Sequence, residues 1–64
     1  MQEFKFYIDG LFCGTAHIEE INEAIAVMRR AGTTVTVIDG HCDEFVIETR
    51  TDLARQAVIL TIVY

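Results

Sequence analysis

The sequence contains no proline and no tryptophan. Without proline no strand or helix is forced to kink, so turns must come from other chemistry, chiefly its four glycines. Basic residues are scarce: five Lys and Arg stand against ten Asp and Glu, a formal net charge of -5. No basic stripe is present on which a phosphate backbone could be neutralised, which argues against direct nucleic-acid binding. The longest apolar run, AVILTIVY at 57–64, falls far short of the ~20 residues of a membrane span. Cysteine is limited to Cys13 and Cys42. Met1 leads into QEFKFYIDG with neither a basic start nor an apolar core of leader length, so free thiols in a reducing cytoplasm are expected rather than a disulfide framework.

Apolar residues are plentiful, at 52% of the chain. The 64 residues are read as a single domain over 1–64. A chain of this size buries only roughly 60% of its unfolded surface. A core that thin leaves little room for a deep pocket, which favours a binding module over an enzyme.

Phe4, Phe6 and Ile8 alternate with Glu3, Lys5 and Tyr7, a period of two that ends at Asp9-Gly10. This predicts a hairpin with a two-residue type I′ turn. The turn sets Ile8 opposite Leu11, Tyr7 opposite Phe12, Phe6 opposite Cys13 and Phe4 opposite Thr15. Cys13 is then expected in the apolar core, with Tyr7 and Phe12 paired on the other face. Ile18, Ile21, Ile25 and Met28 follow helical spacing within 16–31, joined by Ala24 and Ala31. Thr15 is the expected N-cap; Glu19, Glu20 and Glu23 suit the positive end of the dipole, Arg29 and Arg30 the negative end, and Gly32 the stop.

TTVTVI (33–38) reads as a strand with Val35 and Val37 inward, and EFVIET (44–49) as its hairpin partner across the DGHCD loop. RTDLARQ (50–56) reads as a polar connection with room for one helical turn, and AVILTIVY (57–64) as a central strand apolar on both faces. The fold class is therefore α+β: a single helix on one face of a four- or five-stranded sheet, in the order ββαβββ. That order resembles the ubiquitin-like β-grasp architecture, which implies a last strand at the sheet centre beside the first. A parallel last strand needs a crossing of the sheet within 50–56; an antiparallel meander of the last three strands needs none.

The tripeptide IDG occurs twice, in YIDGLFCG and VIDGHCDEF. The strand order places the two copies at opposite ends of the sheet. His17, His41 and Cys42 share one end, with Cys13 further down its strand. Two cysteines and two histidines match a zinc set in composition, but adjacent His41 and Cys42 seldom face one ion. Metal- or thiol-dependent chemistry at Cys13, His17, His41 and Cys42 therefore ranks last. Asp39, Asp43 and Glu44 flank Cys42 and oppose thiolate formation. No catalytic residue, metal or cofactor is assigned.

Two surfaces stand out instead. Tyr7 and Phe12 lie on a sheet face that should otherwise be polar, joined by Thr34, Thr36, Val46 and one of two sets from the last strand: Ile59, Thr61 and Val63, or Val58, Leu60, Ile62 and Tyr64. Glu19, Glu20 and Glu23, with Asp39, Asp43 and Glu44, should gather near the helix start. The expected function is a small acidic protein-binding module or inhibitor, docking on a protein partner with a basic surface. Small phage or mobile-element proteins that block a nucleic-acid-binding partner are of this type. The alternative is a structural subunit that homodimerises through the outer sheet face. No membrane or direct nucleic-acid partner is expected.

Overall fold

The computed structural model describes residues 2–40 and 43–64. These form one helix and five strands: β1 (Glu3–Ile8), β2 (Leu11–His17), α1 (Ile18–Arg30), β3 (Thr34–Asp39), β4 (Glu44–Arg50) and β5 (Arg55–Ile62). Asp9 at φ 50° and Gly10 at φ 86° both take the left-handed backbone that a type I′ turn demands. Ile8 then opposes Leu11 and Tyr7 opposes Phe12, as the turn dictates.

Beyond Phe12 the expected register fails. Phe6 opposes Gly14, Lys5 opposes Thr15 and Phe4 opposes Ala16, because Cys13 is an extra residue in a β-bulge. Gly14 sits at φ 142°, a backbone that residues with side chains rarely adopt, and this is what lets the bulge form. Cys13 is consequently exposed, not a core residue beside Phe6. The bulge also brings small residues, Gly14 and Ala16, opposite the two inward phenylalanines.

The helix N-cap is His17, not Thr15; its N–H donates to the Glu20 carboxylate at 3.0 Å, which satisfies a group that would otherwise face the open side of β2. Ile18 N–H donates to the Gln2 carbonyl at 3.0 Å and ties the helix start to β1. At the other end, Thr33 N–H bonds the Met28 carbonyl and Gly32 N–H the Arg29 carbonyl, the pair of bonds that defines a Schellman stop. The Arg29 guanidinium donates to the Val35 carbonyl at 2.8 Å. Each end of the helix thus secures one outer strand, by an acid on an N–H and by a base on a carbonyl.

The sheet order is β2-β1-β5-β4-β3, with every neighbouring pair antiparallel. β5 lies centrally beside β1, as expected, but it runs antiparallel to β1 and completes a β3-β4-β5 meander. This departs from the parallel pairing that a β-grasp resemblance implies. The cause is a short turn. The stretch expected to be a long polar connection is strand on both sides of Thr51–Ala54, where Thr51 N–H bonds the Ala54 carbonyl and the Thr51 hydroxyl accepts from Leu53 and Ala54 N–H. A turn that tight can only reverse the chain.

Phe4, Ile25, Val35, Ile47 and Leu60 form the buried core. Phe4 meets Phe45 edge to face, with centroids 5.8 Å apart. Leu60 in the core fixes the phase of β5, so Val58 and Ile62 face the helix, and Ile59, Thr61 and Val63 face away. The 13-residue helix is about 20 Å long at 1.5 Å per residue, and it cannot cover five strands. An apolar groove of about 290 Å³ remains beside it, bounded by Phe6, Ile8, Ala24, Met28 and Val58.

Candidate docking surface on the outer sheet face

The pairing registers place five apolar residues in one row across the side of the sheet away from α1. Phe12 opposes Tyr7, Tyr7 opposes Ile59, Ile59 opposes Val46, and Val46 opposes Ile38. The row crosses every strand, about 19 Å at a strand spacing of ~4.8 Å. Its two ends are the most open: Phe12 is 59% exposed and Ile38 44%. Tyr7 stacks at a tilt on Phe12, with centroids 5.5 Å apart, which holds both rings over the same strand pair. Polar rows border it. Thr15, Lys5, Thr61 and Glu44 lie on one side, and Glu48 and Thr36, next to the small Ala57, on the other. An apolar stripe with a polar rim is the composition of a protein interface.

Charge is segregated along the strands. Asp39, Asp43 and Glu44 lie at the end of the sheet where β2 passes into α1, so they share an end with Glu19 and Glu20. Arg29, Arg30, Arg50 and Arg55, four of the five basic residues, lie at the opposite end with the Thr51–Ala54 turn. All four are exposed. Glu19 and Glu20 follow β2 in the chain, whereas Asp39 lies on β3 and Asp43 and Glu44 at the start of β4, so the two acidic groups reach the same end of the sheet from different strands. Glu23 stands further up the helix and is exposed. Glu20 spends its carboxylate on the His17 N–H, a local role that helix-dipole reasoning alone does not reveal.

The two IDG segments lie at opposite ends, as the strand order requires: Asp9 N–H bonds the Ala57 carbonyl, while Asp39 opposes Phe45 beside the Asp43 carbonyl that accepts from Ile62. Of the Cys/His set, Cys13 is exposed at the bulge and His17 is half-buried, its Nδ1 enclosed and without a hydrogen-bond partner among the described residues. His41 and Cys42 lie outside the described residues. Among the described residues no group of three or more His, Cys, Asp or Glu is placed to hold a metal ion. No helix among them is long and apolar enough to cross a membrane.

Sequence reasoning found Tyr7, Phe12 and Val46 but not Ile38, and it left Ile59 as one of two options. Alternation within TTVTVI does put Ile38 on the face of Thr34 and Thr36. Its membership of the row depends on the β3-β4 register, which no local signal specifies.

The fold and this surface define a two-layer α+β domain with an apolar row across its uncovered face. No protein-family model, curated protein or solved structure matches the chain.

Proposed function

We propose that this chain is a small, non-enzymatic protein-binding module that docks by its outer sheet face. The observation that carries the reading is the row Phe12–Tyr7–Ile59–Val46–Ile38, unbroken across all five strands. Tyr7 and Phe12 are its anchors, since aromatic side chains dominate interface energetics. The acidic residues Asp39, Asp43, Glu44, Glu19 and Glu23 orient the docking towards a partner with a basic surface and speed the encounter. Where that basic surface is a nucleic-acid site, occupying it makes the module an inhibitor. The working location is the cytoplasm.

Affinity capture from the native host tests this, using wild type, Tyr7→Ala/Phe12→Ala, and Glu19→Lys/Glu23→Lys, each first shown to be folded by circular dichroism. The wild type should retain a partner in stoichiometric amount. The aromatic double variant should lose it, and the charge-reversed variant should hold it more weakly, with a smaller response to salt. A captured set that neither variant alters contradicts the proposal.

A further inference from the structure

The backbone of β3 has a free side whose pattern can be read from two hydrogen bonds. Bonded and non-bonded pairs alternate along an antiparallel ladder. Ile62 N–H donates to the Asp43 carbonyl at 3.3 Å, and Gly40 N–H to the Glu44 carbonyl at 2.6 Å. These fix the phase of β4: Phe45, Ile47 and Thr49 bond β5, while Val46, Glu48 and Arg50 bond β3. Their partners Ile38, Thr36 and Thr34 are thereby satisfied. Val35, Val37 and Asp39 turn their N–H and C=O groups to the open side. The Val35 carbonyl is met by Arg29. Among the described residues those of Val37 and Asp39 meet no partner, and they are the template that an exposed edge offers to another strand.

We infer that β3 is the seam of a two-fold homodimer, pairing antiparallel with β3 of a second copy about Val37. Three observations select a second copy. The free groups fall at alternate residues on either side of Val37. A two-fold there sets Val37 opposite itself and Val35 opposite the Asp39 of the other copy, so every open donor and acceptor of the edge finds a partner. Val35, Val37 and Asp39 also share the helix-side face, where Arg29 reaches the edge at Val35. Pairing brings the carboxylate of the second Asp39 to that guanidinium, and symmetry makes the contact twice. The Val35 carbonyl has two lone pairs and accepts the incoming N–H as well. Finally, Val37 is 48% exposed although it faces the helix side, and the two-fold places it against its own mate.

The seam uses the open backbone of Val37 and Asp39, whereas the row reaches β3 only at Ile38 and is anchored at Tyr7 and Phe12, so Val37→Pro and Tyr7→Ala/Phe12→Ala distinguish failure of one reading from failure of the other. Sedimentation equilibrium of the full chain, from micromolar to millimolar, is the test. The wild type should approach twice 7.2 kDa. Val37→Pro, which removes an outward N–H at an edge position, should sediment as a monomer. Asp39→Arg should raise the dissociation constant by about tenfold or more, and adding Arg29→Asp should restore the dimer by exchanging the charges. Tyr7→Ala/Phe12→Ala should leave it unchanged. If Val37→Pro does not fold, the charge-swap series decides alone. A wild type that stays monomeric, pairs only with a foreign strand, or forms a dimer insensitive to Val37→Pro and Asp39→Arg overturns the inference.

Discussion

Along the β2 edge the ladder is broken by the Cys13 bulge, and the last strand N–H, that of His17, is taken by Glu20 as the chain turns into the helix. Along the β3 edge the register runs unbroken from Thr34 to Asp39, with no lysine, proline or bulge, and Arg29 covers the Val35 carbonyl. Both devices occur widely on natural edge strands, but they differ in reach. A bulge twists the whole strand out of register with any incoming one. A single guanidinium protects a single carbonyl. One edge is closed by backbone geometry and the other by a side chain, so association should be asymmetric.

The largest effect would abolish the comparison. Leu60 is buried at the centre of β5, which joins the β2-β1 pair to the β4-β3 pair. Leu60→Ala should cost about 2–5 kcal/mol. That is comparable to the roughly 3–5 kcal/mol a core of this size supplies. Urea titration should show no cooperative transition, with both edges lost together.

A smaller change separates the edges. At Gly40 a Cβ would lie 2.5 Å from the Glu44 carbonyl oxygen, too close for any side chain. Gly40→Ala should force the end of β3 away from β4 at a cost of about 1–3 kcal/mol, lowering the urea midpoint while the β2 side keeps its aromatic pair. The smallest expected change in stability sharpens the contrast most. Deleting Cys13 leaves Phe6 opposite Gly14 and Phe4 opposite Ala16, now in a regular ladder. The fold should survive, and light scattering should reveal added association through a β2 edge that is no longer twisted. Cys13→Ser retains the bulge and should stay within about 0.5 kcal/mol of wild type, with unchanged association.

Much of this architecture was legible in the residues. The 3.6-residue spacing of Ile18, Ile21, Ile25 and Met28, and the alternation of Phe4, Phe6 and Ile8, give the presence of the helix and of the first hairpin as far as Phe12, because one buried face repeats its own signal. The first turn was legible because Asp-Gly admits few backbones. The bulge was not. Cys13 in the regular register reads as a small hydrophobe, and Gly14 carries no side chain to report its face. The tight Thr51–Ala54 turn was hidden by the polar, helix-compatible stretch around it, and with it went the direction of β5. Of the candidate surface, Tyr7 and Phe12 followed from the turn, whereas Ile38 and Ile59 joined them only through long-range registers. Edge openness is a property of strand order, and no residue pattern within β3 announces it.

Residue-resolved amide hydrogen exchange, followed by NMR at low and high protein concentration, tests the asymmetry of the edges most directly. In dilute solution Thr34, Thr36 and Ile38 should be protected by β4, with Val37 and Asp39 exchanging rapidly between them. Raising the concentration should slow Val37 and Asp39 selectively, with Phe12 and Thr15 of β2 unaffected. Exchange at Val37 and Asp39 that is independent of concentration, or an equal slowing on β2, would contradict the account.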